Sequence, residues 1–205
     1  MTRDLPDPGD LSSVRLSGGG LWLRPWDPAS DADVDAFLRG VTDREFARWN
    51  TPLTPITDRA TAREALRTRG EQAAAGTAVP FLIAEAEDGP AVGHLGVNEI
   101  RRVFGRAIVG YWVLPEARGR GVATRALDLA ARWSFDALGL HRLELGHAVG
   151  HAASCTIAER CGFRYEGTLR GEMFEEGRRD AFRDAHLHAR LAADPVPGAG
   201  TPAGA

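Results

Sequence analysis

The stretch GYWVLPEARGRGVAT, residues 110–124, joins an apolar run to a proline and then to a basic loop that contains glycine. The apolar run over residues 107–114 is typical of a β-strand, which Pro115 ends. From Gly121 to Leu138, small apolar side chains recur on one helical face. This stretch therefore predicts a strand, a loop and a helix in direct succession.

The loop at the start of this helix has the chemistry of an anion-binding site. The first N–H groups of a helix have no partner within the helix, and the helix dipole adds positive charge there. Arg118 and Arg120 add full charges, and glycines let the backbone approach a ligand closely. The loop alone is equally compatible with a basic turn that only begins a helix. A dinucleotide fingerprint does not fit, because Thr124 replaces its third glycine, and the chain has no lysine for a Walker loop.

The pattern on both sides of this stretch predicts a mixed α/β fold. Alternating or continuous apolar runs predict strands over residues 21–24, 79–86, 91–100, 107–114, 142–148, 163–173 and 182–191. Helical periodicity and end signals predict helices over residues 30–40, 42–49, 57–75, 121–138 and 152–160. We expect a central, mostly antiparallel mixed sheet of about seven strands, with helices on both faces.

The two ends of the chain differ in composition from the middle. Residues 1–17 are polar, contain proline and glycine, and lack periodicity, which predicts a flexible N-terminal tail. Residues 193–205, ADPVPGAGTPAGA, predict a disordered C-terminal tail. We therefore expect one domain over residues 18–192.

Charge and hydropathy exclude several classes of protein. The net charge of −3 gives no electrostatic reason to expect a nucleic-acid partner. No apolar run approaches the ~20 residues that cross a bilayer, and the N-terminus lacks the apolar segment of a secretory signal. Cys155 and Cys161 lie too far apart on one predicted helix to form a disulfide. We expect a cytoplasmic protein with free thiols and no membrane partner.

Two spaced motifs point to one family. Arg118, Gly121 and Ala123 match the pattern Q/R-x-x-G-x-G/A. A later pattern, N-x-x-S…A-x-(K/R)-x-G-F…E-G, is matched at Ser154, Ala158, Arg160, Gly162, Phe163, Glu166 and Gly167. With both motifs in this order, the chain from about Gly20 to Leu191 resembles the GNAT superfamily of N-acetyltransferases. More narrowly, it is similar to the ribosomal-protein alanine N-acetyltransferase branch, the RimJ/RimL type.

This resemblance implies the GNAT fold, acetyl-CoA as co-substrate and no metal. It implies that the backbone of Trp112, Val113 and Leu114 pairs with pantetheine and orients the thioester carbonyl. The pyrophosphate would be held by the loop residues Arg118, Gly119, Arg120, Gly121, Val122, Ala123 and Thr124. Ser154 would lie near the leaving sulfur, and His151 would also contact the cofactor. The resemblance also makes a homodimer possible.

The chain departs from the family where a general base is often found. Many members carry an acidic residue two positions before Gly-Tyr-Trp, where this chain has Ile108. His151 stands where the branch has Asn. Glu99, His94 and His151 are the candidate bases, and we prefer Glu99. Each also fits an ordinary role: a solvated charge, a packed histidine or a helix cap.

The acceptor is expected to be an amine, on a protein N-terminus or a small molecule. At pH 7 an α-amine with a pKa of about 8 costs about 1.4 kcal/mol to deprotonate, against about 4.6 kcal/mol for a lysine amine. An enzyme without a strong base therefore suits an α-amine better. Acetyl and longer acyl donors are not distinguished, and a non-catalytic acyl-CoA-binding module is the alternative function.

Two segments are candidates for the acceptor side. Phe46, Arg48, Trp49 and the turn 51–55 could form an acceptor loop, or only core aromatics and a proline-defined turn. A cluster of acidic residues on the late hairpin could attract a cationic acceptor or form a solvated tip. It consists of Glu172, Glu175 and Glu176.

Overall fold

The predicted strand, loop and helix lie near the middle of a sheet in the computed structural model, which describes residues 9–195. The elements are β1 (Leu16–Gly18), β2 (Leu21–Pro25), α1 (Asp31–Val41), α2 (Arg44–Trp49), α3 (Arg59–Ala74), β3 (Val79–Ala84), β4 (Ala91–Arg101), β5 (Arg106–Val113), α4 (Val122–Asp136), β6 (Arg142–Ala148), α5 (Ala152–Arg160), β7 (Arg164–Phe174) and β8 (Phe182–Leu191). The sheet order is β1-β2-β3-β4-β5-β6-β8-β7. Among the described strands, only β5 and β6 pair in parallel.

The mixed fold and the predicted order of elements are confirmed, with one added strand. Strand β1 lies mostly in the segment predicted to be a flexible tail. Leu11 there is only 5% exposed, and its N–H donates to the carbonyl of Ala73 over 3.0 Å. A few apolar residues spaced among polar ones are too short a signal for periodicity to detect. Residues 1–8 and 196–205, the rest of the predicted tails, lie outside the described range.

The sheet has a separate apolar core on each face. Alternation along β3 divides its buried side chains: Phe81 and Ile83 join the core under α4, whereas Leu82 and Ala84 join the core under α1 and α3. All six residues of β3 are buried, as expected for a strand covered on both faces. Helices on both faces therefore hold β4 and β5 in place.

Four aromatic rings pack together between β5 and the helices α1 and α3; we call Trp26, Phe37, His94 and Trp112 the aromatic cluster. The ring centroid of Trp112 lies 5.6 Å from that of His94 and 6.0 Å from that of Trp26. Trp26 Nε1 donates to His94 Nδ1 over 3.0 Å. Gly40 of α1 makes room for Trp112, since a Cβ at this position would lie 2.2 Å from the indole ring.

Strands β5 and β6 pair over a short length and then separate. The pairing joins residues 106–108 to residues 142–144, in three residue pairs. Both strands continue, β5 to Val113 and β6 to Ala148. We call the opening between their separated ends the strand split. Across residues 9–195, no helix has the length and apolar character needed to cross a bilayer.

Candidate active site

A cleft of about 440 Å³ runs from the strand split to the start of α4. The end of β5, the basic loop, the first turns of α4 and α5, and helix α2 supply its walls. Lining residues include Phe46, Trp49, Tyr111, Trp112, Val113, Arg118, Gly119, Gly121, Val122, Ala123, Thr124 and His151. This volume is in the range of small-molecule and cofactor sites.

The loop before α4 has the backbone conformation of an anion cradle. Gly119 and Gly121 have φ values of 73° and 70°, in the left-handed region that glycine adopts without strain. A Cβ at either position would meet no described atom within 4 Å, so the space above the loop is open. No side chain of the described residues caps the start of α4. Its first N–H groups therefore face the cleft with the positive end of the helix dipole.

The two arginines of the loop point in different directions. Arg118 lines the cleft, donates from Nε to the carbonyl of Val113 over 3.0 Å, and forms an ion pair with Asp43. Arg120 instead pairs with Glu85 over 2.7 Å and does not line the cleft. Arg118 therefore places its charge at the cleft wall, whereas Arg120 does not.

The three residues at the end of β5 that the resemblance assigns to pantetheine are placed differently. Trp112 and Val113 line the cleft. Leu114 is turned away: it is 1% exposed, and its N–H donates to the carbonyl of Val92 over 2.9 Å. Pairing with β4 continues one residue past the strand end, so the Leu114 N–H is already occupied, and a role for the Leu114 backbone in binding pantetheine stays a prediction.

Two hydroxyl groups meet in the strand split, beside the inner end of the cleft. Tyr111 Oη and Ser154 Oγ lie 3.1 Å apart, and either can donate to the other. Ser154, in the first turn of α5, is 5% exposed. Burial raises the pKa of Tyr111 to about 12, so its O–H stays protonated at neutral pH. The pair can donate protons or hydrogen bonds to an atom that gains negative charge in the split.

Sequence reasoning selected Ser154 but missed Tyr111. Strand alternation separates Tyr111 from Trp112, its neighbour, because successive side chains point to opposite faces. A phenol between Val109 and Val113 on an otherwise apolar strand face was the available signal.

A smaller cavity of about 60 Å³ lies between the separated strands and adjoins the cleft. Tyr111, Ser154, His147, His151, Trp49 and Asn50 are among its lining residues. Within the part of the chain that the structure describes, no carboxylate lines it. The His151 ring stacks on that of Trp49, with centroids 4.5 Å apart. Burial, followed by the nearby His147, lowers the pKa of His151 to about 4, so the ring is neutral at pH 7.

The other candidate bases lie elsewhere. Glu99 is exposed, sits at the bulge of β4 with a φ of 48°, and pairs with Arg101 over 2.8 Å. It lines neither the cleft nor the small cavity. His94 accepts from Trp26 within the aromatic cluster. Ile108 lies opposite Glu144 in the paired part of β5 and β6, before the split opens. Of the three candidates, His151 alone reaches the described walls of the site.

The predicted acceptor segments lie beside this cavity. Phe46 and Trp49 line the cleft, and the Arg48 guanidinium lies 4.7 Å from the centre of the Trp49 ring. Thr51 Oγ1 accepts from the N–H of Gly177 over 3.0 Å, which joins the 51–55 turn to the β7–β8 hairpin. The acidic cluster at the hairpin tip, Glu172, Glu175 and Glu176, is exposed.

The comparisons with known proteins agree with this geometry. Residues 21–164 match the family model described as an acetyltransferase (GNAT) domain. YdaF of Bacillus subtilis is 32% identical over 90 residues, 44% of this chain and 49% of YdaF. Spermidine N(1)-acetyltransferase of Escherichia coli K12 is 35% identical over 113 residues, 54% of this chain and 61% of that protein. The chain thus spans about half to three fifths of the length of these curated relatives.

A solved structure extends the match to most of the fold. Mycobacterium smegmatis RimJ, in complex with CoA-disulfide, superposes with a TM-score of 0.75 at 26% identity. The superposition covers 87% of this chain and 86% of RimJ. The RimJ/RimL enzymes are therefore among the structural neighbours of this chain.

Proposed function

Because the chain belongs to the GNAT acetyltransferase family, we propose that it transfers an acetyl group from acetyl-CoA to the α-amino group of a peptide or a small molecule. One observation carries this proposal. The cleft has the open start of α4 at one end, and at the other it adjoins, through Tyr111, the small cavity that the Tyr111–Ser154 hydroxyl pair lines. An anion-binding end and a proton-donating end are what a diphosphate-linked thioester needs.

The donor end fits coenzyme A in both charge and backbone shape. The left-handed Gly119 and Gly121 leave the approach to the first turn of α4 free of side chains. N–H groups at a helix start bind phosphate oxygens well, and Arg118 adds charge at the same wall. The exposed backbone edge of Trp112 and Val113 continues along the cleft and would bind the amide-containing arm of the cofactor.

The hydroxyl pair would act on the leaving group. When bound, acetyl-CoA supplies a thioester whose carbonyl carbon accepts the amine nitrogen; the C–N bond forms as the C–S bond breaks. The electron pair of that bond remains on sulfur. Tyr111 and Ser154 would donate a proton or a hydrogen bond to this sulfur, and the high pKa of Tyr111 keeps that proton available.

The proton that leaves the amine needs a different acceptor, which we assign to His151. Its ring lies at the junction of the cleft and the small cavity and is neutral at pH 7. A base with a pKa of about 4 holds a proton only briefly and passes it to water. This weak base suits an α-amine, whose deprotonation costs about 3 kcal/mol less than that of a lysine amine.

The walls of the small cavity also favour an acceptor with one positive charge. A polyamine has further ammonium groups, which are held best by carboxylates. Among the described residues, no wall of the small cavity carries one; Glu45 lines the adjoining cleft but already accepts from Trp49 Nε1 over 2.7 Å. Arg48 and Arg183 both lie against the Trp49 ring. We therefore propose a peptide-like α-amine rather than a polyamine, although one relative is named a spermidine acetyltransferase.

The test compares two peptides of one sequence with acetyl-CoA as donor. One peptide has a free N-terminus and no lysine, and the other has a blocked N-terminus and one lysine; spermidine is a third acceptor. We expect thiol release and a mass gain of one acetyl group with the first peptide. Faster transfer to the lysine peptide or to spermidine would contradict the assigned acceptor class.

A non-catalytic acyl-CoA-binding module is the second candidate, and the lack of a carboxylate among the described cavity walls favours it. Binding and turnover separate the two functions. Acetyl-CoA that binds by calorimetry but releases no thiol with any amine would support the module. The Ser154→Ala variant should bind the donor normally and slow its turnover if the chain is an enzyme.

A further inference from the structure

Three histidines and a cysteine converge between α5 and the strands that it covers. His147 on β6 lies directly opposite His186 on β8, and His188 follows two residues later, so all three rings share one face of the sheet. Cys155 projects from α5 onto this face. The four side chains can each offer one ligand atom, and these atoms all lie within 4.8 Å of one another.

We infer that His147, Cys155, His186 and His188 form a binding site for a single divalent transition-metal ion of the zinc type. This site goes beyond the proposed acetyl transfer and does not rest on it. It also departs from the family resemblance, which implies no metal. One thiolate and three imidazoles are ligands that zinc, cobalt and nickel prefer, whereas magnesium and calcium prefer oxygen.

The spacing of the ligand atoms fits tetrahedral coordination. Cys155 Sγ lies 3.4 Å from His147 Nε2 and 3.4 Å from His186 Nδ1. A tetrahedral zinc ion with bonds of about 2.3 Å to sulfur and about 2.0 Å to nitrogen holds its S and N ligands about 3.5 Å apart. The side chains therefore need only small rotations to bind one ion.

The buried His188 supplies a second, independent observation. Its side chain is 1% exposed, and across residues 9–195 neither ring nitrogen has a hydrogen-bond partner. A buried polar group without a partner costs about 1–3 kcal/mol. Its ring stacks at 5.2 Å on His147 and points into the cluster, so a metal ion would satisfy a nitrogen that the protein leaves unpaired.

The orientation of His147 is already that of a ligand. Its Nδ1 lies 3.0 Å from the carbonyl oxygen of Ala148, which only accepts, so Nδ1 carries the proton and Nε2 is bare. Metal-bound histidines commonly use a backbone carbonyl in this way to fix their tautomer.

Access and proton balance are consistent with reversible binding. Cys155 and His186 are only partly buried, so the ion can enter from the surface. The ion replaces the hydrogen of the Cys155 thiol: an S–metal bond forms, the S–H bond breaks, and one proton leaves to water. The bound ion would fix the first half of α5 to β6 and β8.

The experiment uses full-length, untagged protein that has been stripped with a chelator, and Co²⁺ as a spectroscopic probe. We expect one Co²⁺ per chain, with a thiolate-to-cobalt charge-transfer band that Zn²⁺ abolishes by competition. Cys155→Ser should lose this band and bind at least about tenfold more weakly. His186→Asn should weaken binding but keep the band, because the thiolate remains. The exposed His141→Asn is the matched control and should behave as wild type.

Thermal unfolding supplies a readout that does not use cobalt. Zn²⁺ should raise the midpoint of the wild type and of His141→Asn, because it binds only the folded state, and should not raise that of Cys155→Ser. Cys155 is partly exposed, so its serine variant should fold. Weak binding that is equal in wild type and both cluster variants, or a cobalt spectrum without a thiolate band, would overturn the site.

Discussion

The two faces of β5 differ: one borders an open cavity and the other is tightly packed. Neighbouring residues, Tyr111 and Trp112, lie on the two faces. On one face, Tyr111 meets Ser154 at the small cavity that adjoins the cleft. On the other, Trp112 packs its ring against His94 and Trp26 so closely that α1 needs a glycine beside it. Strand alternation lets one short segment separate chemistry from stability.

The two faces also place two histidines differently: His94 is packed within the aromatic cluster, whereas His151 lines the cleft. His94 accepts a hydrogen bond from Trp26 and stacks on Trp112, so its nitrogen is occupied. His151 stacks on Trp49 at the wall of the cleft. Both have lowered pKa values, and only their positions separate them.

The largest change in the free energy of unfolding is expected on the face of β5 that carries Trp112. Trp112→Ala should lower the free energy of unfolding by about 3–5 kcal/mol, because it leaves a cavity within the aromatic cluster. Urea denaturation followed by circular dichroism measures this loss. Phe104→Ala, at an aromatic side chain that is 69% exposed, should change it by less than about 0.5 kcal/mol. A stable Trp112→Ala protein would show that the division between the two faces is wrong.

On the cleft face we expect a substitution to change the free energy of unfolding less but to lower the catalytic rate strongly. Tyr111→Phe should lower kcat by about 100-fold, because it removes a proton donor, and should lower stability by only about 1 kcal/mol. Steady-state thiol release at saturating acetyl-CoA measures the rate. Tyr165→Phe, at the other tyrosine of the chain, is the matched control and should keep the wild-type rate. An unchanged rate in Tyr111→Phe would assign proton donation to Ser154 alone.

The smallest effect, per pH unit, is a pH dependence of stability that comes from the aromatic cluster. Burial, followed by the nearby Arg69, lowers the pKa of His94 to about 3 from an ordinary value of 6.5. The fold therefore favours neutral His94, and its contribution is complete above pH 6.5 and is lost as the pH falls towards 3. This loss reaches about 1.4 kcal/mol per pH unit at most.

Unfolding in urea at about pH 7.5, 6 and 5 measures how the free energy of unfolding changes with pH. His94→Gln keeps an acceptor for Trp26 but does not titrate, so its stability should fall less steeply with acid than that of the wild type. His141→Gln, on the surface, should keep the wild-type slope. Equal slopes in all three proteins would mean that His94 does not sense pH.

The fold was predictable where proline and glycine residues mark the ends of helices and strands. Pro115 ends β5, and Gly121 marks the start of α4, so the central unit follows from local chemistry. The family resemblance then implied the roles of the loop and of Ser154, which stay predictions. Strand β1 was missed because three residues are too few for a periodic signal. Glu99 failed as a site residue because a bulge in β4 changes its backbone and exposes its side chain.

The histidine–cysteine cluster could not be predicted, for a topological reason. Strand β8 lies between β6 and β7 in the sheet, so His186 on β8 pairs with His147, which is on a strand far away in sequence. Alternation on β8 indicates that His186 and His188 share a face, but it does not indicate which strand lies alongside. Long-range strand order depends on the packing of the whole sheet rather than on local propensity.

The short β5–β6 pairing has a consequence for cooperativity. Three residue pairs are the only strand-to-strand pairing recorded between the described strands β1–β5 and the described strands β6–β8. The two halves of the sheet can therefore act as separate cooperative units that open at this seam before the whole domain unfolds. Amide hydrogen exchange should reveal two protection levels on either side of residues 106–108. A donor bound across the seam would join the halves and merge those levels into one.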